Sequence, residues 1–121
     1  MVADILIVDD SATIRMLLSA ELKNAGHNVT VAISGEEALD KLRDLTPQLI
    51  ITDLNMPGIN GLELIEKVRK KEAISLIPIL ILTTEDNPEK KAQGRAVGAT
   101  GWIIKPFKRD KLLFAVDRLT A

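Results

Sequence analysis

Ile5-Leu6-Ile7-Val8-Asp9-Asp10-Ser11 is a short apolar run that stops abruptly on two carboxylates and a hydroxyl. Three further runs of Ile, Leu and Val end in a similar way: residues 49–52 stop at Asp53, 79–82 at Thr83 and 102–104 at Lys105. Continuous apolar runs separated by helix-patterned stretches mark strands buried on both faces of a parallel sheet. Ligands of open parallel α/β sheets bind outside the carboxyl ends of the strands. Asp9, Asp10, Asp53, Thr83 and Lys105 are therefore expected to converge on one sheet edge. That edge is the candidate site.

Between the runs the chain repeats a strand–helix unit five times. The first helix is expected to begin near Ser11, a good N-cap, to bury Ile14, Leu17, Leu18 and Leu22, and to stop at Gly26. A second strand over residues 29–33 alternates in polarity and belongs at a sheet edge. Ser34 with Glu37 reads as a capping box for a second helix carrying Ala38, Leu39, Leu42 and Leu45 and closed by Pro47. Asn60 with Glu63 caps a third helix with the stripe Leu62, Ile65 and Val68. A fourth opens at Asn87-Pro88, closes at Gly98 and has only Ala92, Ala96 and Val97 as its stripe around Gly94. It should be the least firmly packed. The fifth carries Leu112, Leu113, Val116 and Leu119. Right-handed crossovers then give an α/β fold, a doubly wound five-stranded parallel sheet in the order 2-1-3-4-5 with five helices. In that order the switch point lies between strands one and three, which end at Asp9-Asp10 and Asp53.

Length and composition fit this reading. The 121 residues suit one domain with one core, aliphatic because the chain has two Phe, one Trp and no Tyr. There is no cysteine, so disulfides and thiolate metal sites are excluded. No basic leader precedes the first apolar run, and the stretch 76–82 falls far short of the roughly 18 residues a membrane span needs. A cytoplasmic, soluble chain is expected. Charge is unevenly placed: residues 1–87 balance at −6 and residues 88–121 at +5, within a net −1. His27 after Gly26 reads as a surface residue, and Met16 and Met56 as packing residues.

Three carboxylates at one edge repel, and ionising all of them needs a compensating charge. Mg²⁺ suits, since it takes one or two carboxylates, keeps waters and accepts a phosphate as a further ligand. With Lys105 and the Thr83 hydroxyl, such an edge can stabilise the equatorial oxygens of a transferring phosphoryl group. Asp53, central in the sheet, is the best-placed nucleophile for an aspartyl phosphate.

The segments Ile5-Leu6-Ile7-Val8-Asp9-Asp10-Ser11, Asp53-Leu54-Asn55-Met56-Pro57-Gly58-Ile59-Asn60-Gly61 and Gly101-Trp102-Ile103-Ile104-Lys105-Pro106-Phe107 resemble the receiver domain of two-component response regulators. The likeness covers the whole chain, 1–121, and is greatest to CheY-type single-domain chemotaxis regulators. It implies that Asp53 is the phosphoacceptor and that Asp10, Asp53 and the backbone carbonyl of Asn55 bind Mg²⁺, with Asp9 acting through water. It implies that Thr83 and Lys105 contact the phosphoryl oxygens, and that Trp102 stands at the switch position usually held by Tyr or Phe. Asn55 and Glu85 fall at the two positions that tune phosphate lifetime, with residue types of short-lived regulators. The partners implied are a CheA-like histidine kinase and a target protein docking on the face of helix four, strand five and helix five. Neither nucleic acid nor a membrane is implied, and a monomer is expected. Such a chain catalyses only its own phosphorylation and dephosphorylation.

Three other functions compete. A phosphorelay intermediate, passing phosphate to a histidine phosphotransfer protein, is the rival within the same family. A haloacid-dehalogenase-type phosphatase needs a second Asp two residues after the nucleophile, and that position is Asn55. A flavodoxin-like carrier would place a flavin phosphate beside Asp9-Asp10, which repel it.

Overall fold

In the computed structural model, which describes residues 2–121, the apolar runs form strands β1 Asp4–Val8, β2 Asn28–Ala32, β3 Leu49–Thr52, β4 Ile79–Thr83 and β5 Gly101–Ile104. Helices α1 Ala12–Asn24, α2 Gly35–Lys41, α3 Gly61–Arg69, α4 Pro88–Val97 and α5 Arg109–Leu119 alternate with them, and a 3-10 turn at Glu72–Ile74 precedes β4. All strand pairs are parallel, in the order β2-β1-β3-β4-β5. This is the expected doubly wound fold.

The two faces of the sheet explain the apolar runs. Leu6, Val8, Ile50, Ile79 and Ile81 point into one core with Ala38 of α2 and Leu64, Ile65 and Val68 of α3. Ile5, Ile7, Leu49, Ile51, Leu80 and Leu82 point into the other, with Leu18 and Leu22 of α1 and Leu112 and Val116 of α5. Every residue of β3 and β4 is buried, because both of their faces are covered. The edge strand β2 is mostly half-buried.

The caps follow the sequence at four helices. The side chains of Ser11, Ser34, Asn60 and Asn87 each accept a first-turn N–H, and Asn60 with Glu63 completes a capping box. At α2 the box does not close: the Glu37 carboxylate accepts from Ile33 N–H, one residue before the cap. That helix also ends at Leu42 rather than at Pro47, through tightened turns in which Arg43 N–H donates to Asp40 O and Asp44 N–H to Lys41 O. Leu45 is left exposed.

Other expectations move by a residue or a face. β2 covers 28–32, leaving Ile33 exposed past its end. The buried stripe of α1 is the i, i+4 row of Leu18 and Leu22, so Leu17 falls on the flank at 48% exposure. Leu64, rather than Leu62, is fully buried in α3. Met56 is buried as expected, but Met16 is exposed. In α4, Ala92 and Ala96 face solvent and Gly94 is the buried residue. A Cβ there would lie 2.9 Å from the Trp102 ring. The glycine makes room for an indole.

His27 differs most. It is 6% exposed, and its Nδ1 accepts the Ala3 N–H at 3.1 Å, tying the start of β1 to the turn after α1. His27→Phe should keep the apolar volume but strand that amide, lowering stability by about 1–3 kcal/mol in urea unfolding. A surface histidine would show almost no change.

Candidate functional site

Backbone hydrogen bonds carry the sheet one residue past its strands. Asp9 N–H donates to Ala32 O (3.1 Å), Asp53 N–H to Val8 O (2.9 Å) and Lys105 N–H to Thr83 O (2.7 Å). Each chemically active residue is thus tethered to the neighbouring strand before its side chain makes a contact.

Lys105 then joins the strand ends. Its Nζ donates to Asp9 Oδ2 at 2.8 Å and to Asp53 Oδ2 at 3.2 Å. The three side chains are 10%, 2% and 12% exposed. The opposite carboxylate oxygens are held by backbone: Asp9 Oδ1 accepts from Ser11 N–H (2.9 Å) and Asp53 Oδ1 from Leu54 N–H (2.7 Å). Burial by itself pulls the Lys105 ammonium down, but the hydrogen bonds and charges of Asp9 and Asp53 together outweigh it, and the net shift is upward. The lysine stays charged.

Asp10 is exposed and makes no ion pair among the described residues. Asp9, Asp10 and Asp53 each offer a carboxylate oxygen, all within 4.8 Å of one another. An all-oxygen, acidic donor set suits a hard divalent cation of the Mg²⁺ type and not a soft metal.

A second set of bonds leaves the site toward the surface. Thr83 is buried, and its Oγ1 accepts from Glu85 N–H at 3.3 Å. Glu85 O in turn accepts from the indole Nε1 of Trp102 at 2.9 Å. The ring is already packed against the core under α4. Asn55 and Thr84 are exposed in the loops after β3 and β4. Asp9, Asp10, Asp53 and the Lys105 ammonium thus meet at the expected edge, whereas the Thr83 hydroxyl bonds, among the described residues, only to Glu85, whose main chain gave no signal in the sequence.

A family model for the response regulator receiver domain matches residues 5–117. The chain belongs to that family. The receiver is 45% identical to the chemotaxis protein CheY4 of Vibrio cholerae, with a TM-score of 0.94 over 98% of this chain and 99% of that one. It is 35% identical to protein PilG of Pseudomonas aeruginosa, covering 93% of this chain and 83% of that protein. Protein PilH of the same organism is also 35% identical, over 98% of both chains.

Three residues of this receiver support the site without having drawn notice in the sequence. Arg15 Nη1 donates to Asp9 O at 2.8 Å, placing a fixed cation behind the acidic pair without occupying a carboxylate. Gly61 packs against the backbone of β3's end: a Cβ there would overlap the Asp53 carbonyl oxygen and lie 2.9 Å from Leu54 Cα. Arg69 donates to Gly98 O, Ser75 O and Ile77 O, fastening the end of α4 to α3. An arginine at i+4 after a helix cap and a glycine directly after Asn60 were the available signals.

Without a bound cation the three carboxylates repel across less than 5 Å, offset by one ammonium. Asp10→Ala should therefore raise the stability of the receiver in excess chelator, on the order of 1 kcal/mol, read as a higher urea midpoint. Adding Mg²⁺ should raise the midpoint of the parent protein and leave that of the variant unmoved.

Proposed function

We propose that this receiver is a phosphorylation-dependent switch of a two-component system, in which Asp53 takes a phosphoryl group from a histidine kinase and the product binds a target protein. The observation that carries this reading is the Lys105 ammonium bonded between Asp9 and Asp53, beside the exposed Asp10.

One Asp53 oxygen is held by Leu54 N–H, and the other contacts Lys105. A carboxylate oxygen of Asp53 attacks phosphorus, the P–N bond of the donor phosphohistidine breaks, and the imidazole nitrogen leaves with the bonding pair. An ammonium has three donors, so Lys105 keeps Asp9 while turning another N–H to the transferred group. The Thr83 hydroxyl accepts from Glu85 and has its own proton free to donate to a phosphoryl oxygen. Asp10, Asp53 and the Asn55 carbonyl would hold Mg²⁺, with Asp9 acting through water. Bound there, the ion would offset the carboxylate charge and polarise the phosphoryl group. The polar side chains of Asn55 and Glu85 orient the water that ends the signal, which keeps the phosphate short-lived. The receiver turns over no external substrate beyond its phosphodonor and is in that sense no enzyme.

The likeness to a chemotaxis protein supports a chemotaxis-type pathway with a CheA-like kinase as donor. The α4–β5–α5 face, where the chain balances at +5 over residues 88–121, would take the target. No helix among the described residues is long and apolar enough to cross a membrane, and we place the protein in the cytoplasm as a monomer.

Acetyl phosphate with Mg²⁺ should give a hydroxylamine-labile label that Asp53→Asn abolishes and excess chelator suppresses. Full labelling of that variant would move the nucleophile elsewhere, and labelling unchanged in chelator would sink the metal assignment.

Trp102 is the sole tryptophan, so emission reports on one side chain. Beryllofluoride with Mg²⁺, standing in for the phosphoryl group, should change its intensity and quenching by drawing on the Thr83–Glu85–Trp102 bonds. Thr83→Ala should still be labelled but lose most of the emission change. An unaltered spectrum with Asp53 occupied would make Trp102 a fixed core residue.

A further inference from the structure

A groove of about 570 Å³ lies between α2 and α3, away from the acidic site. Arg43, Lys67, Lys70 and Lys71 line it, with the half-buried Leu39 as its apolar element. The two carboxylates in its lining are engaged: Glu36 accepts from Ile59 N–H at 3.4 Å, and Asp40 pairs with Arg43 at 3.5 Å. Lys67, Lys70 and Lys71 have no carboxylate within 4.0 Å among the described residues.

The three lysines have no ion-pair partner in the local structure among the described residues. Lys67, Lys70 and Lys71 stand at i, i+3 and i+4, where like charges disfavour a helix. The dipole of α3 offsets this for Lys67 in the last turn and Lys70 at the cap. It does less for Lys71, which lies beyond α3, while Arg43, beyond α2, is paired with Asp40. Nor does general composition account for them, since residues 1–87 balance at −6.

We propose that the α2–α3 groove is a docking surface for an acidic segment of a partner protein, engaged independently of phosphorylation. Carboxylates on that segment would meet the lysine rim, and an apolar side chain would cover Leu39. Charge complementarity selects this occupant. A nucleic-acid backbone has no aliphatic side chain to set on Leu39 between its phosphates, and a membrane would need apolar residues on a rim that is entirely charged. The lysines stand in and just after the last turn of α3, which runs antiparallel to the strands, so the basic rim lies toward the sheet end opposite Asp53. A segment docked there leaves the phosphoacceptor open.

The test is amide chemical-shift mapping of the full chain titrated with a synthetic peptide of glutamates around one leucine. Shifts should concentrate on α2, α3 and the residues just beyond them, with equal affinity in Asp53→Asn. Combined Lys67→Gln, Lys70→Gln and Lys71→Gln should weaken binding about tenfold and leave the urea midpoint nearly unchanged. Leu39→Ser should weaken the leucine-containing peptide more than an all-glutamate one. Shifts centred on residues 88–121, unchanged affinity in the triple variant, or tighter binding of an oligonucleotide or phosphatidylserine vesicles to the same residues would each overturn the proposal.

Discussion

The ion bridge from Lys105 to Asp9 and Asp53 is the contact on which the site depends. It reaches from the end of β5 across β4 to the ends of β3 and β1, so one side chain spans most of the sheet edge. Removing one partner of such a buried pair costs about 3–5 kcal/mol, because the other charge is left uncompensated. The bridge is nonetheless incomplete. Three carboxylates face one ammonium, leaving a charge deficit of two at the position where the oxygens lie within 4.8 Å of one another. A divalent cation would cancel that deficit, and the exposure of Asp10 lets water screen its share of it.

Rigidity is distributed to match. Asp9, Asp53 and Lys105 are each fixed by a ladder bond to the adjacent strand; the aliphatic residues of β1 and β3 beneath the two carboxylates are buried, and those of β5 beneath Lys105 are half-buried. Helix α4 has no comparable anchorage. Its buried residue is Gly94, and directional bonds hold it near each end, from Trp102 to Glu85 O and from Arg69 to Gly98 O. An element secured by a few hydrogen bonds rather than by apolar area can change packing for a small free-energy difference, which is the condition for a population shift. On the proposed function, chemistry would sit on the stiff part of the molecule and response on the compliant part.

The sheet and its active edge were legible because parallel strands buried on both faces leave an unbroken apolar signal, and each such signal ended on a reactive residue. Helix starts were legible wherever Ser or Asn preceded the first turn. Helix faces were not. Leu17, Met16 and Ala92 are apolar yet exposed, whereas Gly94 and His27 are buried, since burial there depends on which neighbour needs the space. Gly94 reads as a weak helix residue until the Trp102 ring, eight positions on in the chain, is placed against it. His27 reads as a turn residue until Ala3 N–H, just before β1, supplies its partner. Pairings of this kind are set by tertiary contact and leave no local periodicity.

Glu85 shows how two properties of a receiver can be separated at one residue. The link from Thr83 to Trp102 runs through its main chain: N–H to the Thr83 hydroxyl on one side, carbonyl to the indole on the other. On the proposed switch, a displacement of Thr83 would be felt at the ring through the two peptide units flanking that single Cα. The side chain takes no part in these bonds, so it is free to act on water at the site. On the proposed function, changing it would alter how long a phosphoryl group lasts while leaving those two main-chain bonds in place. The reverse holds for Thr83 and Trp102, whose side chains are themselves the ends of that path and have no main-chain substitute.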